Sequence, residues 1–402
     1  MNNQQFRQEI EREFHILLQW WVDHMVDGEN GGFYGRMDGY SRLHPRANKG
    51  VILNTRLLWT FSAAATHVGK TDYQQTADRA YQYLLDHFWD DQHGGVFWSV
   101  NYLGECTDAT KQIYAQAFAI YALAEYYAIS KQQTALDKAH QLFSLLEEHS
   151  RDKEKGGYLN VFSADWKMAA DQRLSEKDED QVKIMNTHLH VMEAYANLHR
   201  VAGNEATSEA LRYTIRIILN KFCARTPRHL YLFFDDNWQP TSEERSFGHD
   251  IECAWLLREA AEILGDEALI KEVNLVALEL AQSTLERGLD PNGGIYEKTD
   301  PSGQHPELEK HWWPQAEAIV GFLDMYALTG DQRFQEAALD SWMYIKKYFR
   351  DPQHGEWHWL IDANGEPVLD KEDKAGPWKA PYHSVRMCLE VLKKWSPLEN
   401  EA

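Results

Sequence analysis

His249 and Glu252 stand three residues apart in the stretch SFGHDIECAWLL, where a buried helix should begin. Asn186 and His190 stand four apart in MNTHLHVMEAY, and Trp313 and Glu317 four apart in WWPQAEA. Residues at these spacings share a helix face, so each pair presents two groups to one cavity. Arg56 in NTRLLW, Tyr114 in KQIYAQAF, and Trp378 and His383 in GPWKAPYHSVR join them as unusual residues at the start of apolar helices.

Histidine accepts or donates a proton near neutral pH. Two imidazoles on opposite sides of a carbon can take a proton from one face and return one to the other. That exchange epimerises a carbon next to a carbonyl, such as C2 of an open-chain sugar. The intermediate is an enediolate, whose oxygen charge needs a cation and hydrogen-bond donors. Arg56 and Tyr114 can supply them, and Glu252 is expected to orient His249 and raise its basicity. The chain also carries 15 Trp, which suits stacking on sugar faces.

Structural readings stand beside these. A histidine on an apolar helix is commonly a hydrogen-bonded core residue, which is the reading for His188, His15 and His199. Glu252 and Glu317 can be first-turn helix charges, with Ser246 as an N-cap. Trp312 and Trp313 are adjacent, so at least one is expected in the core. HDIEC approaches a zinc-binding H-x-x-E-H, but Cys253 takes the place of the second histidine, and no metal or cofactor is expected. There is no P-loop, dinucleotide fingerprint or nucleophile elbow. The competing classes are a glycoside hydrolase using Glu252 and Glu317, a sugar-binding protein without turnover, and an aldose–ketose isomerase.

The charge balance is 62 acidic against 41 basic residues, a net −21, which disfavours nucleic acid and anionic membranes as partners. No apolar run is long enough to cross a bilayer. The N-terminus reads as an amphipathic helix through Phe6, Ile10, Phe14, Leu17 and Trp21, not as a signal peptide. Cys106, Cys223, Cys253 and Cys388 form no CxxC and suit a reducing cytoplasm. A monomer or weak homo-oligomer is expected.

A repeat organises the chain. DGENGGFYG (27–35), DDQHGGVFW (90–98), DKEKGGYLN (152–160), DPNGGIYEK (290–298) and DPQHGEWHW (351–359) recur about every 62 residues, and a degenerate copy, PRHLYLFFDDNW (227–238), fills the one double gap. Helical patterns lie over 3–26, 46–69, 72–88, 108–130, 132–150, 181–203, 206–224, 246–265, 267–287, 309–330, 332–349 and 378–395. Six helical pairs without polar capping repeats predict an all-α, closed (α/α)6 barrel in one domain over 1–402, with short glycine–aromatic hairpins on one rim. The helices after the hairpins are the inner ones. Their N-termini carry the residues above and should gather at that rim. The acidic SEKDED run (175–180) reads as a solvated loop.

NTRLLWTFS, MNTHLHVMEAY, SFGHDIECAWLL, WWPQAEA and KAGPWKAPYHSVR resemble the N-acylglucosamine 2-epimerase superfamily, in particular its cellobiose 2-epimerase branch, from about Gly31 to Leu392. The resemblance implies a cofactor-independent epimerase acting on the reducing-end sugar of β-1,4-linked disaccharides such as cellobiose and lactose. A sub-branch acting on free mannose and glucose is the alternative. It implies that His249 and His383 are the acid–base pair at C2. His190 would assist ring opening, Arg56 would hold the enediolate, and Glu252 would support His249. Tyr114, Asn186, Asp178, Trp255, Trp312, Trp313, Glu317 and Trp378 are the implied sugar-binding set, Trp378 and Asp178 beside the second sugar. The branch usually reads KCPYHN where this chain has KAPYHS, with Ala380 and Ser384, a change that bears on substrate choice.

Overall fold

The structure is a computed structural model describing residues 1–69, 72–175, 178–223 and 228–395. Residues 176–177 of the SEKDED run, 224 at the end of one predicted helix and 227 at the start of the degenerate repeat lie outside the described residues.

Among the described residues the chain alternates two kinds of helix. The first kind is α1 (Asn3–Met25), α3 (Asp72–Tyr83), α5 (Gln133–Leu145), α7 (Glu205–Ile217), α9 (Glu267–Arg287) and α11 (Gln332–Tyr344). The second is α2 (Val51–Val68), α4 (Ile113–Ser130), α6 (Met185–Ala202), α8 (Phe247–Leu264), α10 (Trp312–Thr329) and α12 (Tyr382–Lys394). Their sequences explain their places. α7 buries a stripe, Thr207, Ala210, Leu211, Thr214 and Ile215, and faces water elsewhere. α4 buries every residue from Ile113 to Tyr126, and α2 every residue from Val51 to Ala65. A helix buried all round belongs inside. Around the inner ring α2 packs on α4, α4 on α6, α6 on α8, α8 on α10, α10 on α12, and α12 returns to α2. Each outer helix packs on its inner partner, and α1 closes the outer layer against α12. There the Arg7 guanidinium donates to the carbonyls of Leu392 (2.8 Å) and Trp395 (2.9 Å). This is the closed (α/α)6 barrel expected.

The inner helices begin one to five residues later than the sequence pattern suggests. The two residues before each of five inner helices are extended and pair antiparallel with the next hairpin: Lys49–Gly50 with Ser99–Val100, Lys111–Gln112 with Val161–Phe162, Lys183–Ile184 with Phe233–Phe234, Arg245–Ser246 with Lys298–Thr299, and Lys310–His311 with Leu360–Ile361. A single antiparallel bridge between Met37 and Ala375, made of two backbone hydrogen bonds, completes the circuit. These backbone groups bond to a neighbouring unit, so they are unavailable to a helix. α12 starts at Tyr382 rather than 378, which leaves Trp378 on the lead-in segment.

Each Asp-x-x-x-Gly hairpin is tied beneath by a buried lysine. Lys49 binds Asp27 (2.9 Å), Lys111 binds Asp90 (2.7 Å), Lys183 binds Asp152 (2.7 Å), Lys310 binds Asp290 (2.7 Å) and Lys374 binds Asp351. Five residues beyond the lysine position, the first turn of the inner helix grips its own hairpin. Gln116 bonds both the N–H (2.8 Å) and C=O (2.9 Å) of Val96, and Gln315 does the same to Ile295 (2.8 and 2.9 Å). His188 Nε2 accepts from Tyr158 N–H (2.9 Å), and Asp250 accepts from Leu230 N–H (2.9 Å). The reading of His188 as a core histidine therefore holds, and Asp250 is a clamp of the same kind. Gly157 runs with φ +80°, and a Cβ there would lie 2.6 Å from the Trp238 ring, so only glycine fits. This frame fixes where the inner helices begin, and hence what stands on their first turns. No helix among the described residues is long and apolar enough to cross a membrane.

Candidate active site

The first turns of the inner helices converge at the hairpin rim. Arg56 on α2 reaches Tyr114 on α4, its guanidinium donating to the phenol oxygen at 2.8 Å and to the Trp378 carbonyl at 2.6 Å. The Tyr114 ring lies edge-on to His190 of α6, with centroids 5.0 Å apart. Trp313 of α10 lies 4.8 Å from the His249 ring of α8 and 5.7 Å from the His383 ring of α12. Trp312 is the more buried of the two tryptophans, 3% exposed, and packs at 4.6 Å on Trp359, with its edge toward His383. Asn186 stands one turn before His190 on α6, and its Oδ1 is buried without a hydrogen-bond partner. Trp378 lies 5.9 Å from Tyr114 and 5.7 Å from Trp98, a tryptophan the sequence reading passed over.

Each of the three imidazoles is held at Nδ1. His383 meets Glu317 at 2.6 Å, His190 meets Glu193 at 2.7 Å, and His249 meets the Ser246 hydroxyl at 2.7 Å. An ionised carboxylate only accepts, so His383 and His190 carry their proton on Nδ1 and keep a lone pair on Nε2. Ser246 also accepts from the His249 backbone N–H (3.2 Å), so one residue caps α8 and orients its histidine.

Beneath the histidines lies a guanidinium. Arg386, three residues after His383, donates to Glu252 (2.9 Å), Glu317 (2.7 Å) and Glu193. The Tyr382 hydroxyl also donates to Glu193 (2.6 Å). Arg386 lies over the rings of Tyr382 (4.2 Å) and Trp255 (4.7 Å). Ligand-type atoms of Glu252, Glu317 and His383 come within 4.8 Å of one another, and this guanidinium is the cation that bonds both carboxylates.

Electrostatics follow from burial and these partners. Desolvation pushes His249 and His383 each down to about 3, against the opposing pull of Glu317, so both are neutral at neutral pH. Burial raises Glu193 and Glu317, but Arg386 and the partner histidines outweigh it and hold both carboxyls well below the usual range. Glu252 goes the other way, raised by burial and by the Glu317 charge. Burial pushes the Tyr114 phenol up to about 12, so it remains a donor.

Two expectations need correction. Glu252 bonds Arg386 rather than His249, because Ser246 occupies the His249 Nδ1. Trp255 is not on the pocket wall: its N–H donates to Glu317 (2.9 Å) under the Arg386 plane, 2% exposed, so it supports the carboxylate from below. Asp178, implied to lie beside the second sugar, accepts from Ser175 Oγ (2.7 Å) within its own loop. Arg386, Glu193 and Tyr382 escaped the sequence reading, although Glu193 stands three residues after His190, the spacing used to pair His249 with Glu252. Ser384, the departure beside His383, is fully buried and bonds back to the Pro381 carbonyl (3.2 Å).

Fold and site together define an (α/α)6 barrel with a buried histidine–carboxylate pocket at the N-terminal ends of its inner helices. Residues 32–387 match the sequence profile of the family described as N-acylglucosamine 2-epimerase (GlcNAc 2-epimerase). The cellobiose 2-epimerase of Bacteroides fragilis is 46% identical over 96% of this chain and 98% of its own, and that of Ruminococcus albus 35% identical over the same shares. The solved structure of the cellobiose 2-epimerase from Bacillus thermoamylovorans superposes with a TM-score of 0.92 at 36% identity, covering 97% of this chain and 99% of the other. The chain belongs to the N-acylglucosamine 2-epimerase family, and it is a sugar 2-epimerase whose substrate is a small-molecule sugar.

Proposed function

We propose that this enzyme interconverts glucose and mannose at the reducing end of β-1,4-linked disaccharides, by proton transfer at C2 between His249 and His383 through an enediolate. The observation that carries the reading is the set of imidazoles around Trp313, each anchored at Nδ1, with Arg56 and Tyr114 across the same rim. His190 assists opening of the sugar ring. One imidazole Nε2 then takes the C2 proton, and the electron pair moves into the C1–C2 bond and onto O1. Arg56 and Tyr114 stabilise that oxygen charge, reinforced by the inner-helix N-termini. The enediolate charge favours an imidazolium beside it, so the second histidine takes a proton from water at Nε2 and delivers it to the opposite face, while the first returns the C2 proton to water. No cofactor takes part, and the free thiols fit a cytoplasmic enzyme.

The disaccharide assignment draws on the relatives' activity and on Trp98 and Trp378, which offer an aromatic surface at the rim for a second ring. A hydrolytic use of Glu252 and Glu317 is disfavoured because each gives an oxygen to Arg386. The test is proton NMR in D2O with cellobiose, lactose, mannose, glucose and N-acetylglucosamine in separate tubes. Deuterium at C2 with a new C2 epimer from the disaccharides is the expected result. Turnover of mannose and glucose alone moves the assignment to monosaccharides, a ketose product to isomerisation, and glucose release to hydrolysis. Intact sugars without exchange overturn the two-histidine mechanism.

A further inference from the structure

Glu193 has no part in the steps above, yet it is among the most heavily bonded groups in the barrel. It is 4% exposed. One oxygen faces His190 Nδ1 at 2.7 Å, and the other accepts from the Tyr382 hydroxyl at 2.6 Å and from Arg386. Glu317 has the same arrangement on the other side of Arg386, with His383 at 2.6 Å and the guanidinium at 2.7 Å. Two histidine–carboxylate pairs thus share one cation. His190 packs against Tyr114 (5.0 Å) and Phe118 (4.8 Å), so its ring turns little, and its Nε2 has no protein partner among the described residues.

Building on the proposed function, we infer that Glu193 is the positioning residue of a second, separate proton-transfer pair, holding His190 as the base of sugar-ring opening just as Glu317 holds His383 for transfer at C2. With Nδ1–H given to Glu193, the His190 Nε2 lone pair takes the proton of the sugar's O1 hydroxyl. The C1–O5 bond breaks, its electrons go to O5, which takes a proton from water, and C1=O1 forms. The imidazolium then hydrogen-bonds O1. Because Arg386 and Tyr382 keep Glu193 ionised, His190 regains its neutral Nδ1–H form after each turnover.

Loss of a group serving ring opening and loss of a group serving C2 transfer move one observable in opposite directions. The test compares kcat/KM for protonated and [2-2H]cellobiose, or [2-2H]glucose if only monosaccharides turn over, in wild type, Glu193→Gln and Glu317→Gln. Glu193→Gln should lose about tenfold or more in kcat/KM. Its deuterium isotope effect should fall toward 1, because ring opening then limits the rate. Glu317→Gln should lose activity with an isotope effect equal to or above that of wild type. Should Glu193→Gln not fold, Glu193→Asp, which retains the charge but is too short to span His190 and Arg386, carries the same comparison. An undiminished isotope effect in the Glu193 variant, or wild-type kcat/KM, overturns the inference. A wild type without C2 exchange overturns the proposed function and this inference with it.

Discussion

Glu317 and His383 come from different helices and meet at 2.6 Å, and the guanidinium that steadies Glu317 stands three residues beyond His383 on the same helix. The orientation of His383 is therefore built into the contact between α10 and α12. Glu317→Gln keeps the shape and removes the charge. His383 then loses the acceptor that fixes its Nδ1 proton, and Arg386 loses a buried counter-charge. We expect kcat to fall by roughly 10²–10⁴ with KM little changed. Thermal stability should fall too, since breaking a buried ion network costs about 3–5 kcal/mol. Steady-state kinetics and a melting curve check both.

A mechanism with two bases makes a distinctive prediction for its single variants. Epimerisation needs both His249 and His383, but exchange of the C2 proton needs only the base on that proton's face. His249→Asn and His383→Asn should each abolish formation of the other epimer. Each should still wash deuterium into C2 of one epimer, and the two variants should act on opposite epimers. NMR in D2O, started separately from the glucose-type and mannose-type sugar, reads this directly. Exchange in both epimers by one variant would point to a single base.

Trp378 is half-buried and shares the rim with Trp98. Its ring is available as a platform, and its backbone carbonyl holds Arg56 whatever the side chain. Trp378→Ala should thus raise KM for cellobiose by about 1–3 kcal/mol of lost stacking, going by stacking on planar rings as an upper guide. Turnover of free glucose or mannose should change far less. Equal losses on both substrate sizes would place the ring against the reacting sugar instead.

The fold was legible because the repeat is written in turn chemistry and periodicity. An aspartate followed within four residues by glycine marks five of the six hairpins, and uniformly apolar helices such as α4 can only be inner ones. The helix starts were misjudged because the lead-in residues pair with a neighbouring unit, a contact outside the reach of local pattern. The site was legible only in part for a related reason. His190 with Glu193 and His249 with Glu252 have identical spacing, yet only the first forms a bonded pair. What separates them is Arg386, some 130 residues from Glu252 along the chain, which claims that carboxylate while Ser246 claims His249. Spacing says which side chains share a face. Their partners across the barrel decide what each one bonds.

The hairpin clamps supply a test of stability that leaves the pocket alone. His188 occupies the position that Gln116 and Gln315 hold in other units, and burial pushes its imidazole down to about 4. In the unfolded chain the same group titrates near 6.5. Between those two values the unfolded state binds the extra proton, so stability falls as pH falls from about 6.5, by up to about 1.4 kcal/mol per pH unit for each such histidine. His249, His383 and His358 are lowered by burial as well and add to the same acid sensitivity. Glutamine at 188 can accept from Tyr158 N–H as Gln116 accepts from Val96, and it cannot be protonated. His188→Gln should therefore match wild type at pH 7.5 and melt at a higher temperature than wild type at pH 5. A melting-temperature difference that does not change with pH would mean that His188 is not the titrating group.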